Sequence, residues 1–90
     1  MKIMIQGHHD AVKQMLKNKF VDHDVTIIPY GNKTFKWLIQ HQHLVLYISS
    51  AAKLIVSIRD MRIFDDGRLK QVEKIVAKMR YWLEYSPKVM

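Results

Sequence analysis

Two short histidine-containing stretches are the parts of this sequence whose residue types could do chemistry. The first is Gly7-His8-His9-Asp10, which lies between an apolar run and an amphipathic stretch. An imidazole acts as a general base when a carboxylate orients it, so His8 and Asp10 form a candidate catalytic pair with His9 beside them. Loops that follow strands and begin helices also hold anions. The same four residues are typical of a simple helix start with exposed imidazoles, and no spacing places a nucleophile within reach of a base.

A second pair of histidines, His41 and His43, could chelate a metal ion, because residues two apart share one face of a strand. Zinc sites need three or four protein ligands, and His23 is the only other histidine outside the first stretch. The 90-residue chain has no cysteine, which excludes thiolate ligands and disulfides. We therefore predict no metal ion and no cofactor, and we favour a non-enzymatic protein over an enzyme.

The apolar spacing in the first third of the chain predicts three elements. Residues 2–6 form a strand, and their unbroken apolar run indicates a central position in a sheet. A helix starts at His9 or Asp10 and ends near residues 18–20, because its apolar residues recur at helical spacing. Residues 25–30 are rich in β-branched side chains and predict a strand. Since Pro29 cannot donate to a ladder, this strand lies at an edge or ends there.

The stretch that follows Tyr30 allows two interpretations. In the first, Gly31-Asn32 forms a tight turn and residues 33–40 form a strand whose odd-numbered residues, including Trp37, share one face. In the second, Asn32 to Gln42 is a helix and the sheet becomes partly parallel. We favour the strand, because aromatic residues on alternate positions are typical of a pleated surface.

The second half of the chain predicts two more strands and a long helix. The strands cover residues 43–49 and 53–59 with a turn at Ser50-Ala51-Ala52, and residues 61–64 extend or kink the second strand. The acidic pair Asp65-Asp66 suits a helix start. Apolar residues then recur at steps of three and four over roughly 18 residues, until Ser86-Pro87 ends the helix.

The predicted element order is β-α-β-β-β-β-α in one domain that spans residues 1–90. This order describes an α+β two-layer sandwich, in which two helices pack on one face of a mostly antiparallel sheet of four to five strands. The runner-up is an α/β fold with Asn32 to Gln42 helical. A chain this short buries a modest share of its surface, which makes dimerisation a realistic way to gain stability.

Parity along the predicted strands leaves one sheet face without helices. If Trp37, Leu46 and Val56 meet the helices, their neighbours point the other way, and this set is too apolar for a face in water. We predict that a second copy of the protein, as a homodimer, or another protein covers it. A single-stranded nucleic acid stacked on its tyrosines is the alternative. The predicted interface consists of Ile28, Tyr30, Leu38, Val45, Tyr47, Ile55 and Arg59.

The charge of the chain favours polyanionic partners. Fifteen Lys and Arg stand against eight Asp and Glu, which gives a net charge of +7. On the last helix, lysines recur every four residues along one line with two tyrosines, a pattern that can follow a phosphate backbone or can simply be a solvated face. The predicted nucleic-acid contacts are Lys70, Lys74, Lys78 and Tyr81 on this helix and Lys13 and Lys17 on the first.

These patterns predict a small basic binding module with no catalytic activity. It self-associates or docks on a protein through the open sheet face and contacts nucleic acid through its basic helices, as a regulatory or accessory factor. The alternative is a small enzyme or phosphate-binding domain that uses the Gly7-His8-His9-Asp10 loop. The apolar run at the start is too short for a signal peptide or a membrane span, which indicates a cytoplasmic protein.

Overall fold

A four-stranded mixed sheet forms the centre of the computed structural model, which describes residues 1–65 and 67–85. The spatial order of the strands is β2-β1-β3-β4. β1 pairs in parallel with β2 and β3, and β3 pairs antiparallel with β4, so the sheet is mixed rather than mostly antiparallel. The strands are β1 (Lys2–Gly7), β2 (Asp24–Ile27), β3 (Leu44–Ile48) and β4 (Leu54–Ile58). The helices are α1 (Asp10–Lys19), α2 (Lys36–Gln40), α3 (Arg62–Asp65) and α4 (Arg68–Tyr85).

Helices α1 and α4 pack on the same face of the sheet and confirm the α+β two-layer sandwich. Leu16 of α1 and Val76 of α4 belong to one hydrophobic cluster with alternate residues of the strands, such as Ile5 and Leu46. The predicted alternation of β3 and β4 is therefore correct. β1 is central, as its apolar run indicated, and Met4 on its other face is also fully buried. Since both faces of β1 are covered, an unbroken apolar sequence is the stable one there.

The strand predicted over residues 33–40 is wrong. A loop follows β2 and leads into the five-residue helix α2, so the side chains of Phe35 and Trp37 stay outside the core, 53% and 58% exposed. The reason is topological, because β2 and β3 lie on opposite sides of β1 and pair with it in parallel. The connection between them must cross over the sheet and cannot be a hairpin. The alternative is correct in placing a helix and parallel strand pairing here, although α2 covers only five residues of Asn32 to Gln42.

The extension of β4 predicted for residues 61–64 is also wrong, since α3 lies there. The Asp60 carboxylate accepts the backbone N–H of Arg62 at 3.0 Å, which supports a helical turn in place of a strand. α4 has the predicted length of 18 residues. The predicted roles of Asp66 at its start and of Ser86-Pro87 at its end fall outside the described residues. Within the described residues, no helix has the length and apolarity needed to cross a membrane.

Candidate functional site

The loop of residues 7–10, here called the His-His-Asp loop, lies at the carboxyl edge of the sheet. Parallel strands point in one direction, so the segments that follow β1, β2 and β3 meet at this edge. The rings of His8 and Tyr30 are 4.3 Å apart between centroids. His9 Nε2 donates to the backbone carbonyl of Ser50 at 2.9 Å. Only a crossover after β2, and not a hairpin, brings these three segments together.

Gly7 lets the His-His-Asp loop press directly onto the end of β3. Its φ of +103° is in the left-handed region, and a Cβ atom there would lie 2.3 Å from the carbonyl oxygen of Ile48. The same carbonyl accepts the backbone N–H of His8 at 2.8 Å. The loop is thus held against Ile48 by a close backbone contact that only glycine permits at position 7.

A fully buried lysine holds this edge together. Lys13 Nζ donates to the carbonyl oxygens of Gly7 at 2.8 Å and Ile28 at 2.6 Å, and lies 2.7 Å from Asp10 Oδ1. An ammonium group has three donors, and these three acceptors use all of them. Lys13 is 0% exposed, so it does not belong to the nucleic-acid-binding surface predicted for it. It instead joins the loop after β1 to the loop after β2.

The sequence contained a signal for this arrangement. Lys13, Leu16 and Phe20 are three and four residues apart, the spacing of the core-facing stripe of α1, and all three are buried. Asp10 is also three residues before Lys13, a spacing that brings opposite charges together on a helix. The positive charge of Lys13 instead predicts a nucleic-acid contact, which its burial excludes.

Asp10 is committed to structural contacts and does not orient a histidine. Besides Lys13, its Oδ1 accepts the backbone N–H of Tyr30 at 3.1 Å. The hydrogen bond from Lys13, followed by that from Tyr30, holds the pKa of Asp10 below its usual value. His8 and Asp10 therefore do not form the candidate catalytic pair. A shallow cavity of about 200 Å³ lies beside it, lined by Gln6, Gly7, Ile28, Pro29, Tyr30, Gly31, Asn32, Thr34 and Tyr47.

The second histidine pair is divided between two environments. His41 is exposed at the end of α2, with its ring 6.3 Å from that of Trp37. His43 Nδ1 accepts the backbone N–H of Lys2 at 2.9 Å, and its Nε2 lies 3.8 Å from an Asp60 oxygen. Across residues 1–65 and 67–85, no group of three or more His, Cys, Asp or Glu side chains is arranged to hold a metal ion.

The outward side of α4 carries four of the residues predicted to contact nucleic acid, together with Tyr85. These five residues, here called the lysine stripe, are all exposed, and the rings of its two tyrosines lie 4.6 Å apart. Glu73 and Glu84 line cavities on the side of α4 that faces β4, away from the stripe. Lys17 is exposed on α1. The lysine stripe consists of Lys70, Lys74, Lys78, Tyr81 and Tyr85.

The second sheet face, which lies opposite α1 and α4, is only partly open. Ile39 of α2 lines a cavity on this face together with Val45, and Val45 is itself only 5% exposed. Val45 therefore does not belong to an exposed interface. Ile28 and Leu38 are half-buried. The members of the predicted interface that remain exposed are Tyr30, Tyr47, Ile55 and Arg59.

Comparison of the chain with protein-family models, with curated proteins and with solved structures gave no match. The fold class alone hosts many unrelated functions. The exposed surfaces and the carboxyl-edge loops are therefore the features on which a function can be argued.

Proposed function

We propose that this protein is a non-enzymatic binding module that contacts nucleic acid through the lysine stripe of α4. The supporting observation is that three exposed lysines follow one another on the outward side of α4, while both of its glutamates lie on another flank. Lysines four residues apart are separated by about 6 Å along the helix axis and repel one another. A polyanion removes this repulsion, and each phosphate that is neutralised releases counterions.

The tyrosines of the stripe give it a second means of contact. Tyr81 is 67% and Tyr85 65% exposed, and both continue the line of the lysines. A base that stacks on an exposed aromatic ring contributes about 1–3 kcal/mol, with little dependence on sequence. This combination of cations and rings favours binding that depends weakly on base identity.

Binding of labelled oligonucleotides at several salt concentrations tests the proposal. Fluorescence anisotropy would be measured with duplex DNA, single-stranded DNA and single-stranded RNA of one length. The variant combines Lys70→Gln, Lys74→Gln and Lys78→Gln. On duplex DNA, the slope of log affinity against log salt should fall by about 3, since each phosphate contact contributes about 0.9.

A matched control separates the lysine stripe from overall charge. It combines Lys33→Gln, Lys36→Gln and Lys53→Gln, three lysines that are exposed outside α4. Both triple variants have the same net charge, because +7 less three charges is +4. The control should keep most of its affinity and salt slope. Equal weakening of the two variants, or no binding by the unaltered protein at low salt, would contradict the proposal.

The proposal includes self-association through the exposed part of the second sheet face. Ile55 is 53% and Tyr47 37% exposed, and they are cross-strand neighbours on β4 and β3. Two exposed apolar side chains side by side on a sheet face favour a dry contact with another protein surface. A second copy of the chain is the partner with an identical patch, and a symmetric dimer pairs such patches.

A second candidate function is binding of a small phosphate-containing ligand at the carboxyl edge. The cavity there supports it, because Gln6, Asn32 and Thr34 line its wall beside the His-His-Asp loop. Titration with inorganic phosphate, followed by the NMR signals of the histidine rings, tests it. Saturable shifts at His8 that disappear in Asn32→Ala would support this function. Shifts of the same size at the exposed His41 would show a non-specific effect and argue against it.

A further inference from the structure

An apolar groove runs between α1 and α4 on the helical side of the sheet. Its volume is about 500 Å³. Met15 on the α1 side is 37% exposed, and Ile75 and Trp82 on the α4 side are half-buried, so apolar surface along the groove reaches the solvent. The full lining consists of Met15, Lys19, Ile75, Lys78, Met79 and Trp82.

Among the described residues, each wall of this groove bears one lysine and no carboxylate. Lys19 belongs to α1 and Lys78 to α4, and both line the groove. The glutamates of α4 line the cavities on its opposite flank, where β4 lies. The flank of α4 toward β4 thus carries both glutamates together with Arg80, whereas the described residues of the flank that faces α1 contribute Lys78 and no glutamate. An occupant must therefore be apolar at its centre and anionic at its edges.

We propose that this groove binds an acidic amphipathic helix of a partner protein. Two helices that lie side by side present a channel in which a third helix packs with its apolar stripe downward. α4 is about 27 Å long and α1 about 15 Å, which is enough for several turns of a partner helix. Met15 and Met79 line the groove, and methionine side chains adapt to different apolar partners. Carboxylates on the flanks of the partner helix then face Lys19 and Lys78.

Fluorescence of Trp82 tests this inference directly. Trp37→Phe leaves Trp82 as the only tryptophan of the chain, because the sequence has two. The probe is a tryptophan-free synthetic helix of about 16 residues with leucines on one face and glutamates on both flanks. We expect a blue shift of Trp82 emission. We also expect affinity at least about tenfold higher than for the same peptide with lysine at every glutamate position.

The lysine on α1 provides a matched pair of variants that does not involve the lysine stripe. Lys19→Glu should weaken binding of the acidic peptide about fivefold or more, as expected for reversal of one facing charge. Lys17→Glu makes the same change in the same last turn of α1, outside the groove, and should alter affinity less than about twofold. The lysine-containing peptide should bind Lys19→Glu more tightly than the unaltered groove.

Three outcomes would overturn the inference. The first is that no peptide changes the Trp82 emission. The second is that acidic and basic peptides bind equally well, and the third is that Lys17→Glu weakens binding as much as Lys19→Glu. Circular dichroism of each variant verifies that it is folded. Lys19 is not part of the lysine stripe. A failure of peptide binding can therefore be distinguished from a failure of oligonucleotide binding.

Discussion

The buried ammonium group of Lys13 holds two loops together at the carboxyl edge, so its removal should lower the free energy of unfolding. Lys13→Met keeps most of the side-chain length but leaves the carbonyls of Gly7 and Ile28 without their donor. Hydrogen bonds to charged groups contribute about 1.5–3 kcal/mol, so we expect the free energy of unfolding to fall by about 2–3 kcal/mol. Urea denaturation followed by circular dichroism measures this change.

The same substitution at Lys17 is the control for Lys13→Met. Lys17 lies one turn later on α1 and is exposed, so Lys17→Met should alter the free energy of unfolding by less than about 0.5 kcal/mol. If both variants lose the same small amount, the contacts of Lys13 do not stabilise the fold.

Gly7 and Gly31 both have φ angles in the left-handed region, so alanine substitutions at the two positions distinguish backbone strain from a steric clash. Gly7 has a φ of +103° and Gly31 of +91°, but only at Gly7 would a Cβ atom meet the backbone of Ile48. Gly31→Ala should cost about 1–3 kcal/mol through strain alone. Gly7→Ala should cost at least about 2 kcal/mol more, because the backbone of β3 cannot move away freely. Thermal and urea unfolding compare the two variants, and equal losses would mean that the loop is not pressed onto β3.

Acid sensitivity should arise in part from Asp60. Its hydrogen bonds with the Arg62 side chain and backbone lower the pKa of Asp60 to about 2, from an ordinary value of 3.8. Because the pKa of Asp60 is lower in the folded state, its ionised carboxylate contributes its full stabilisation above the ordinary pKa of 3.8. This contribution is lost as the pH falls toward about 2. The free energy of unfolding should therefore fall between about pH 4 and pH 2. Asp60→Asn should flatten this fall more than the exposed control Asp22→Asn, as urea titrations at each pH would reveal.

At the scale of elements, secondary structure is predicted best where apolar residues keep one spacing over several turns or strand positions. The 18 residues of α4 repeat their apolar spacing over several turns, and β3 and β4 alternate cleanly, so their faces are known in advance. α2 has five residues and no fully buried side chain, which is too short to display a helical period. Alternate aromatic residues around Trp37 then imitate a strand. The strand predicted over residues 33–40 was wrong because it relied on a local pattern. The parallel pairing that excludes a hairpin depends on contacts between residues far apart in the sequence.

The position of Trp37 in α2 gives a test of this corrected assignment. A tryptophan under the helices would cost about 3–5 kcal/mol on truncation to alanine. Because Trp37 is 58% exposed, Trp37→Ala should cost less than about 1 kcal/mol. Leu46→Ala, at a fully buried position of β3, should cost about 2–5 kcal/mol in the same urea assay. A loss above about 3 kcal/mol for Trp37→Ala would restore the strand interpretation.

At the scale of the whole molecule, the proposed surfaces lie on different sides of one sheet. α4 carries the lysine stripe above one face, and Tyr47 and Ile55 are exposed on the other. A back-to-back dimer would therefore leave both stripes free and point them in opposite directions. Two linked sites raise avidity only when both can reach the same ligand. Such a dimer should therefore bridge two nucleic-acid molecules more readily than it grips a short one twice.

Self-association through the second sheet face makes the last prediction. Ile55→Glu places a charge at the centre of the proposed contact, so it should convert a dimer into a monomer without loss of secondary structure. Val21→Glu is the matched control, because Val21 is also an exposed apolar residue, 80% exposed, outside that face. Sedimentation velocity over a hundredfold range of concentration, about 1–100 μM, would measure both variants beside the unaltered protein. A protein that stays monomeric throughout, or a dimer that persists in Ile55→Glu, would contradict the proposed contact while leaving the lysine stripe to be judged by its own salt dependence.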